Sequence, residues 1–349
     1  MVQTCSHKLL RNRGKIASRS IEHLLNRRPD LKKSLNRLAL LKMHTNLANS
    51  IAHLSGAIVA DDPALFHDHI RWTENYYRHR GVKSDILVAQ LEALLRSIME
   101  YEITNGNNTS SGIIYSGIDW LKKHRNAPSS DEEKPVCPEG LAYAAILLEG
   151  DEEKAEKFIH DLLQKKWGIQ EIITDVAEQA LFEVGRKWHT NQISSKRENC
   201  ASRINRSIIM DLFKRDDKPV PVIGKCALYS PAGELHNLGI SIFGELIKQK
   251  GFQVHKFGPN IPDSEFLACL LTVRPDALAI SITMAYDLAY LDVVLRKIRQ
   301  NPELNDMIIV VGGYMACKLK SADQLYGADI IARDLEHGIN SVSETIQVE

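Results

Sequence analysis

Residues 234–239 read Glu-Leu-His-Asn-Leu-Gly, and this hexapeptide decides how the C-terminal part of the chain is read. It follows a β-branched and apolar run, Val222 to Leu228, and opens a segment of helical periodicity. A histidine in a strand-to-helix loop is exposed enough to coordinate a metal. A carboxylate two residues earlier, Glu234, can hold its other ring nitrogen, fixing the tautomer and raising basicity. Gly239 lets a backbone or a bulky ligand tail approach where a side chain would block it. Asn237 lies between them. Downstream, 41 residues (240–280) separate Gly239 from Ser281-Ile282-Thr283, and 28 more (284–311) lead to Gly312-Gly313-Tyr314.

Around these elements the pattern alternates. Strand-like runs are expected at Ile223–Ser230, Gln253–Phe257, Ala277–Ile282, Met307–Val311 and Asp329–Ala332. Helix-period segments fall at Leu238–Lys250, Asp263–Leu271, Leu288–Arg299, Ala322–Tyr326 and Leu335–Ile346. Strands alternating with helices predict βαβ units and a doubly wound parallel sheet. Such sheets bind ligands beyond the carboxyl ends of their strands, where all three motif elements fall.

The order Glu-x-His-x-x-Gly, Ser-x-Thr, Gly-Gly resembles the cobalamin-binding module, across roughly 220–349. In that family the corrin's own base is displaced and the loop histidine becomes the lower cobalt ligand. The resemblance implies that role for His236, with Glu234, Asn237 and Gly239 around it. It places Ser281, Thr283, Gly312, Gly313 and Tyr314 along the tunnel for the displaced nucleotide tail. The alternative is a flavodoxin-like domain with an incidental loop histidine.

Bulk properties set bounds. The 349 residues imply two or three domains, each able to build its own core. Lys plus Arg, 44, equals Asp plus Glu, so nothing global argues for nucleic acid. Six scattered cysteines without a C-x-x-C pair read as reduced thiols. There is no apolar run of membrane-spanning length and no signal-peptide core, so a cytoplasmic location without membrane association is expected.

Two proline-bearing stretches, 126–138 and 216–221, read as linkers. Between them Gly140–Glu149, Glu152–Lys166, Ile169–Trp188 and Ser194–Phe213 carry helical periodicity and predict a small antiparallel four-helix bundle. Trp188-His189 ends its third helix and Glu198-Asn199 lies in the fourth. A tryptophan at a helix end is ordinarily partial core, and a glutamate is ordinarily a solvated face. Beside the cobalamin motif, however, Trp188, nine residues, Glu198-Asn199 resembles the helical cap of CarH-type photoreceptors, light-responsive repressors that use adenosylcobalamin. That resemblance implies that Trp188 and Glu198 cover the upper corrin face and that His189 becomes an upper cobalt ligand after light cleaves the cobalt–carbon bond. Asn199 departs from the family's histidine; an amide can hydrogen-bond a ribose or base but is not protonated near neutral pH. This weakens the inference of adenosylcobalamin over methylcobalamin.

Residues 1–50 carry eleven Lys/Arg against two Asp/Glu, a net +9. This reads either as a basic solvated helical face or as a surface for an acidic partner or nucleic acid. The winged helix-turn-helix of the light-responsive repressors has no counterpart, so direct DNA binding is not expected. Helices are expected at Leu35–Ile58, Pro63–His79, Ser84–Tyr101 and Gly112–His124, with Phe66, Ile70, Trp72, Tyr76, Tyr77 and Leu87 forming a largely aromatic group. The run from Asp62 to Trp72, followed by Arg80-Gly81-Val82, loosely resembles the N-terminal region of photocobilins. That implies a bilin such as biliverdin, with His67, His69, Arg71 and Arg80 as candidate propionate partners. A dimerisation or partner-docking domain is the alternative.

The expected organisation is therefore α/β plus all-α: 1–125 a helical domain, 139–215 a four-helix-bundle cap, and 222–349 a flavodoxin-like cobalamin-binding domain. Two functions remain open. One is a non-enzymatic light sensor, a homo-oligomer (dimer or tetramer) that signals through oligomer state or to a separate regulatory protein. The other is a corrinoid carrier for methyl transfer, which must expose the upper face. A mutase lacks its barrel-sized substrate domain here.

Overall fold

The computed structural model describes residues 2–105, 109–124, 137–214, 220–231, 234, 236–258, 261–321 and 324–347. Most of both linker readings lies outside them. The chain forms two compact units. The first comprises 1–70, 85–125 and 220–349, and the second 71–84 and 126–219.

The first unit is built on five parallel strands: β1 Gly224–Tyr229, β2 Phe252–Lys256, β3 Ala277–Ser281, β4 Ile308–Gly312 and β5 Ile330–Ile331. Their order is β2-β1-β3-β4-β5, the doubly wound flavodoxin-like arrangement, and every pairing is parallel. The central strand β3, Ala-Leu-Ala-Ile-Ser, is buried at every position, as expected where helices cover both faces of a sheet. One face packs through Leu228, Ala279 and Val310 onto Phe243, Ile247 and Val342. These three come from helices over Leu238–Gln249 (called α12 in chain order) and Leu335–Gln347 (α15). Two further helices, Asp263–Val273 (α13) and Ala285–Arg299 (α14), complete the α/β part.

The chain begins with α1 Val2–Arg27, α2 Pro29–Ser34 and α3 Arg37–Val59, in the same unit as the sheet. The basic N-terminal stretch is thus largely one long helix. Leu9, Ile16 and Leu24 are buried, whereas Lys8, Arg11 and Lys15, at helical spacing, are exposed. Asn36 caps α3 by accepting the Ala39 N–H at 2.9 Å. α3 packs against both α1 and α14. Next come α4 Ala64–Arg78, α5 Ser84–Asn105 and α6 Thr109–His124. The boundary between the units falls within α4, after Ile70. The anticipated aromatic group divides accordingly: Phe66, Ile70 and Leu87 are core of the first unit, while Trp72, Tyr76 and Tyr77 belong to the second.

The second unit contains the four-helix bundle: α7 Pro138–Glu149, α8 Glu152–Gln164, a third rod over Ile169–His189, and α11 Ser195–Lys214. The third rod is Ile169–Glu171 (α9), a π-helical stretch Ile172–Glu178, and Gln179–His189 (α10). Cys137 accepts the Gly140 N–H ahead of Pro138 to start α7. Gly150 ends α7 at φ +80, and Asp151 caps α8 at 3.0 Å.

Of the helix expected at Ala322–Tyr326, residues 322 and 323 lie outside the described residues. Among its described residues, Gln324 is in 3-10 geometry and 325–327 form a bend and turn; the Gln324 side-chain oxygen Oε1 accepts the Lys320 and Ser321 N–H groups, and Gly327 turns the chain at φ +83. No helix among the described residues is long and apolar enough to cross a membrane.

Candidate cofactor site

The loop after β1 sets an acid inward and a ring outward. The Glu234 side chain is fully buried, while that of His236 is 63% exposed. Glu234 Oε1 accepts both the His236 backbone N–H and His236 Nδ1, each at 2.7 Å. A carboxylate only accepts, so Nδ1 carries the proton and Nε2 the lone pair, the tautomer a metal requires. Glu234 Oε2 accepts the Thr283 N–H at 3.0 Å, tying this loop to the end of β3.

A second carboxyl meets it there. Asp287, in the first turn of α14 and fully buried, accepts the N–H of Met284 at 2.9 Å and of Thr283 at 3.2 Å. Burial, then the adjacent Glu234 carboxylate, pushes Asp287 up to about 8. For Glu234 burial acts upward too, but hydrogen bonds from His236 and Asp287 outweigh it and hold the group down to about 2. Burial and the neighbouring carboxylate thus favour the protonated form of Asp287, while the hydrogen bonds to Glu234 favour its charged form beside the imidazole. The sequence reading missed Asp287. Its signal was an acid three residues into the helix that follows Ser-x-Thr, the position that caps a helix start.

The remaining loop residues line the carboxyl edge of the sheet. Ser281 ends β3 and is buried, and Gly312 ends β4. Gly313 has φ +94, and a Cβ there would stand 2.4 Å from the Ile282 carbonyl oxygen and 2.9 Å from Ser281 Oγ. Glycine is thus required where the two loops meet. Tyr314 is exposed, with Lys318 Nζ 5.1 Å from its ring centre. Asn237 precedes α12 and its carbonyl accepts Ser241 Oγ at 2.8 Å. Gly239 faces open space: a Cβ there would meet nothing within 4 Å.

This donor set suits one kind of metal. Among the described residues no group of three or more His, Cys, Asp or Glu side chains could hold an ion. A single oriented imidazole beside open space fits a metal that brings its own equatorial ligands, as a corrin does. Residues 224–341 match the family described as B12 binding domain, and residues 142–210 match a second family of the same description. This is a corrinoid-binding protein.

Relatives of different kinds match part of this chain. The dimethylamine corrinoid protein 3 of Methanosarcina mazei is 25% identical over 114 residues, 33% of this chain and 67% of that protein. For the corresponding protein of Methanosarcina barkeri the chain spans 53% of the relative's length. The HTH-type transcriptional repressor CarA of Myxococcus xanthus is 29% identical over 89 residues, 26% of this chain and 31% of the repressor. Among solved structures, the Methanosarcina barkeri monomethylamine corrinoid protein superposes with a TM-score of 0.50 at 14% identity, covering 58% of this chain and 96% of that one. That likeness establishes the fold.

In the second unit the bundle residues meet the end of α4. His189 is buried, and its Nε2 lies 3.0 Å from the Trp72 carbonyl oxygen, whose acceptor role makes Nε2 the donor. The His189 ring stacks on Trp72 with centroids 4.7 Å apart. Trp188 is half-buried; its Nε1 donates to Ser195 Oγ at 3.0 Å, and its ring lies 5.7 Å from that of Tyr76. Arg80 donates to the carbonyls of His189 at 2.8 Å and Trp188 at 3.0 Å while stacking 3.5 Å over Tyr76. Glu198 accepts Ser202 Oγ at 3.0 Å, and Asn199 is exposed. Of the candidate bilin partners, His67 lies 3.0 Å from Ser116 Oγ and His69 2.9 Å from Ser50 Oγ, both in the first unit, while Arg71 and Arg80 belong to the second.

Proposed function

We propose that this protein is a corrinoid carrier that uses His236 as its lower axial ligand and takes part in methyl transfer. The observation that carries it is the Glu234–His236 pair, a ring whose Nδ1–H is fixed by a buried carboxylate at the carboxyl edge of the sheet. The matches to dimethylamine corrinoid proteins support the carrier class. When bound, the corrin supplies a cobalt whose upper ligand can be exchanged, by methyl transfer in this reading or by light-driven cobalt–carbon cleavage in the one below. The chain's own contribution is to present Nε2 and to hold Nδ1–H against the Glu234 carboxylate, with Asp287 beside it.

A light sensor using adenosylcobalamin is the second reading, favoured by a specific arrangement. His189 follows Trp188 and is held by Trp72 and Arg80 rather than by bulk solvent. The likeness to CarA supports the same reading. Here Trp188, Glu198 and Asn199 would contact the upper ligand and His189 would serve as a reserve ligand. A homo-oligomer or a separate regulatory partner would receive the signal. A bilin beside His67 and His69 remains an addition to this second reading.

One experiment separates the two. The protein is loaded with methylcobalamin or adenosylcobalamin and followed by absorbance, with a thiol acceptor and methyltransferase in one arm and green light in the other. The carrier reading expects demethylation coupled to the acceptor and the same light-state spectrum in wild type and His189→Ala. A bis-histidine spectrum after light, lost in His189→Ala and accompanied by a change in assembly, would overturn it in favour of the sensor.

A further inference from the structure

Gly56 lies in α3 where that helix meets the start of α14. A Cβ built there would stand 1.8 Å from the Ala285 carbonyl oxygen and 2.6 Å from its carbon. Backbone lies against backbone, so any other residue must push the helices apart. Three residues earlier, the His53 ring, 6% exposed, meets the edge of Tyr286 with centroids 5.3 Å apart. It also stacks on the His69 ring with centroids 3.9 Å apart. Burial keeps both imidazoles uncharged, with His69 lowered to about 4. Further along, Leu10 and Ala52 pack on Ala289, and His7 Nε2 stands 3.0 Å from the Asp292 carboxylate. α1 and α3 together thus grip positions 285, 286, 289 and 292 of α14.

The next residue in that turn, Asp287, binds the N–H groups of Thr283 and Met284 and shares Thr283 with Glu234. Residues 285–287 are therefore held on one side by α3 and on the other by the corrinoid loop. A helix start transmits displacement as a rigid piece, because its hydrogen-bonded ladder resists local bending.

We propose that α3 is a positioning element of the corrinoid site. Its seat on α14, permitted by Gly56, sets where the Thr283–Asp287 turn stands, so corrinoid occupancy and the packing of α3 on α14 are one linked equilibrium. This rests on corrinoid binding through His236 and is independent of the carrier and sensor readings. Gly56, His53 and Tyr286 are positioning residues and touch no ligand.

Aquocobalamin titration by absorbance tests it in wild type, Gly56→Ala, His53→Leu and Leu24→Ala, the last a core truncation in α1. The expected result is binding weakened about tenfold or more in Gly56→Ala, while Leu24→Ala lowers thermal stability and leaves affinity unchanged. Amide exchange over residues 50–60 is expected to slow when aquocobalamin binds wild type. Should Gly56→Ala fail to fold, His53→Leu and the wild-type exchange carry the decision. Wild-type affinity in a folded Gly56→Ala, or binding that leaves α3 exchange unchanged, overturns the proposal. Unaltered binding in His236→Ala would instead overturn the ligand assignment alone.

Discussion

At the scale of single residues, the site divides its work between an exposed ring and two buried acids. His236→Ala removes a side chain mostly in solvent, so the fold is expected to persist. The expected loss is the imidazole hyperfine splitting in electron paramagnetic resonance of the Co(II) form, and retained splitting would refute the assignment. Glu234→Gln keeps the shape but loses the charge that fixes the tautomer, with an expected weakening of about 10–100-fold in corrinoid affinity measured by absorbance titration. Asp287 has a pH signature of its own. Its carboxyl is raised from 3.8 to about 8 in the fold, so its contribution is complete below about pH 4 and is lost as pH rises toward 8. Glu234 has the opposite sign, and its contribution is lost as pH falls from 4.5 to about 2. Asp287→Asn is therefore expected to flatten the decline in apo-protein stability between pH 4 and 8, by a few kcal/mol at most, on the order set by the linkage relation. Thermal melts across that range would show it, and parallel slopes in variant and wild type would deny Asp287 the proton.

At the scale of elements, Arg80 acts as an external cap for α10. Its two bonds satisfy carbonyls at a helix C-terminus, where a cation is also favoured by the helix dipole. Arg80→Ala is expected to cost about 1–3 kcal/mol in the second unit and to speed amide exchange near Trp188. Unchanged exchange there would show the clamp to be ornamental. These elements also show what the sequence could and could not reveal. The strands were readable because each is a short apolar run bounded by turn residues, and a parallel sheet buries both faces. The Glu234–His236 contact was readable because the two residues are close in sequence. Asp287 was not, since its partner Glu234 arrives through the sheet from a different loop. The contacts of Arg80 and Trp72 with His189 were hidden for the same reason: they span more than 100 positions, and no periodicity carries such a distance. Over 324–326 the composition favours helix, while the Gln324 side chain offers the backbone a local alternative.

At the scale of the whole molecule, the two compact units predict two unfolding transitions in calorimetry. The first unit contains Trp120, and the second contains Trp72, Trp167 and Trp188, so single-tryptophan variants assign each transition. Aquocobalamin at about a hundred times its dissociation constant should raise the transition reported by Trp120 through roughly 2.7 kcal/mol of binding free energy. A Trp120 transition that stays put under saturating ligand would place the binding energy elsewhere.

The seat of α3 on α14 also has a cost during synthesis. The ribosome makes α3 early and α14 far later, with the whole second unit in between. At about 5–20 residues per second, roughly 10–45 s pass before the partner helix emerges. Throughout that interval the face bearing Ala52, Gly56 and Val59 has no α14 to cover it. Nascent chains are thus open to wrong pairings and to capture by chaperones that bind apolar helices. Expression yield should consequently respond to translation speed across residues 60–285 more strongly than the stability of the finished protein would indicate.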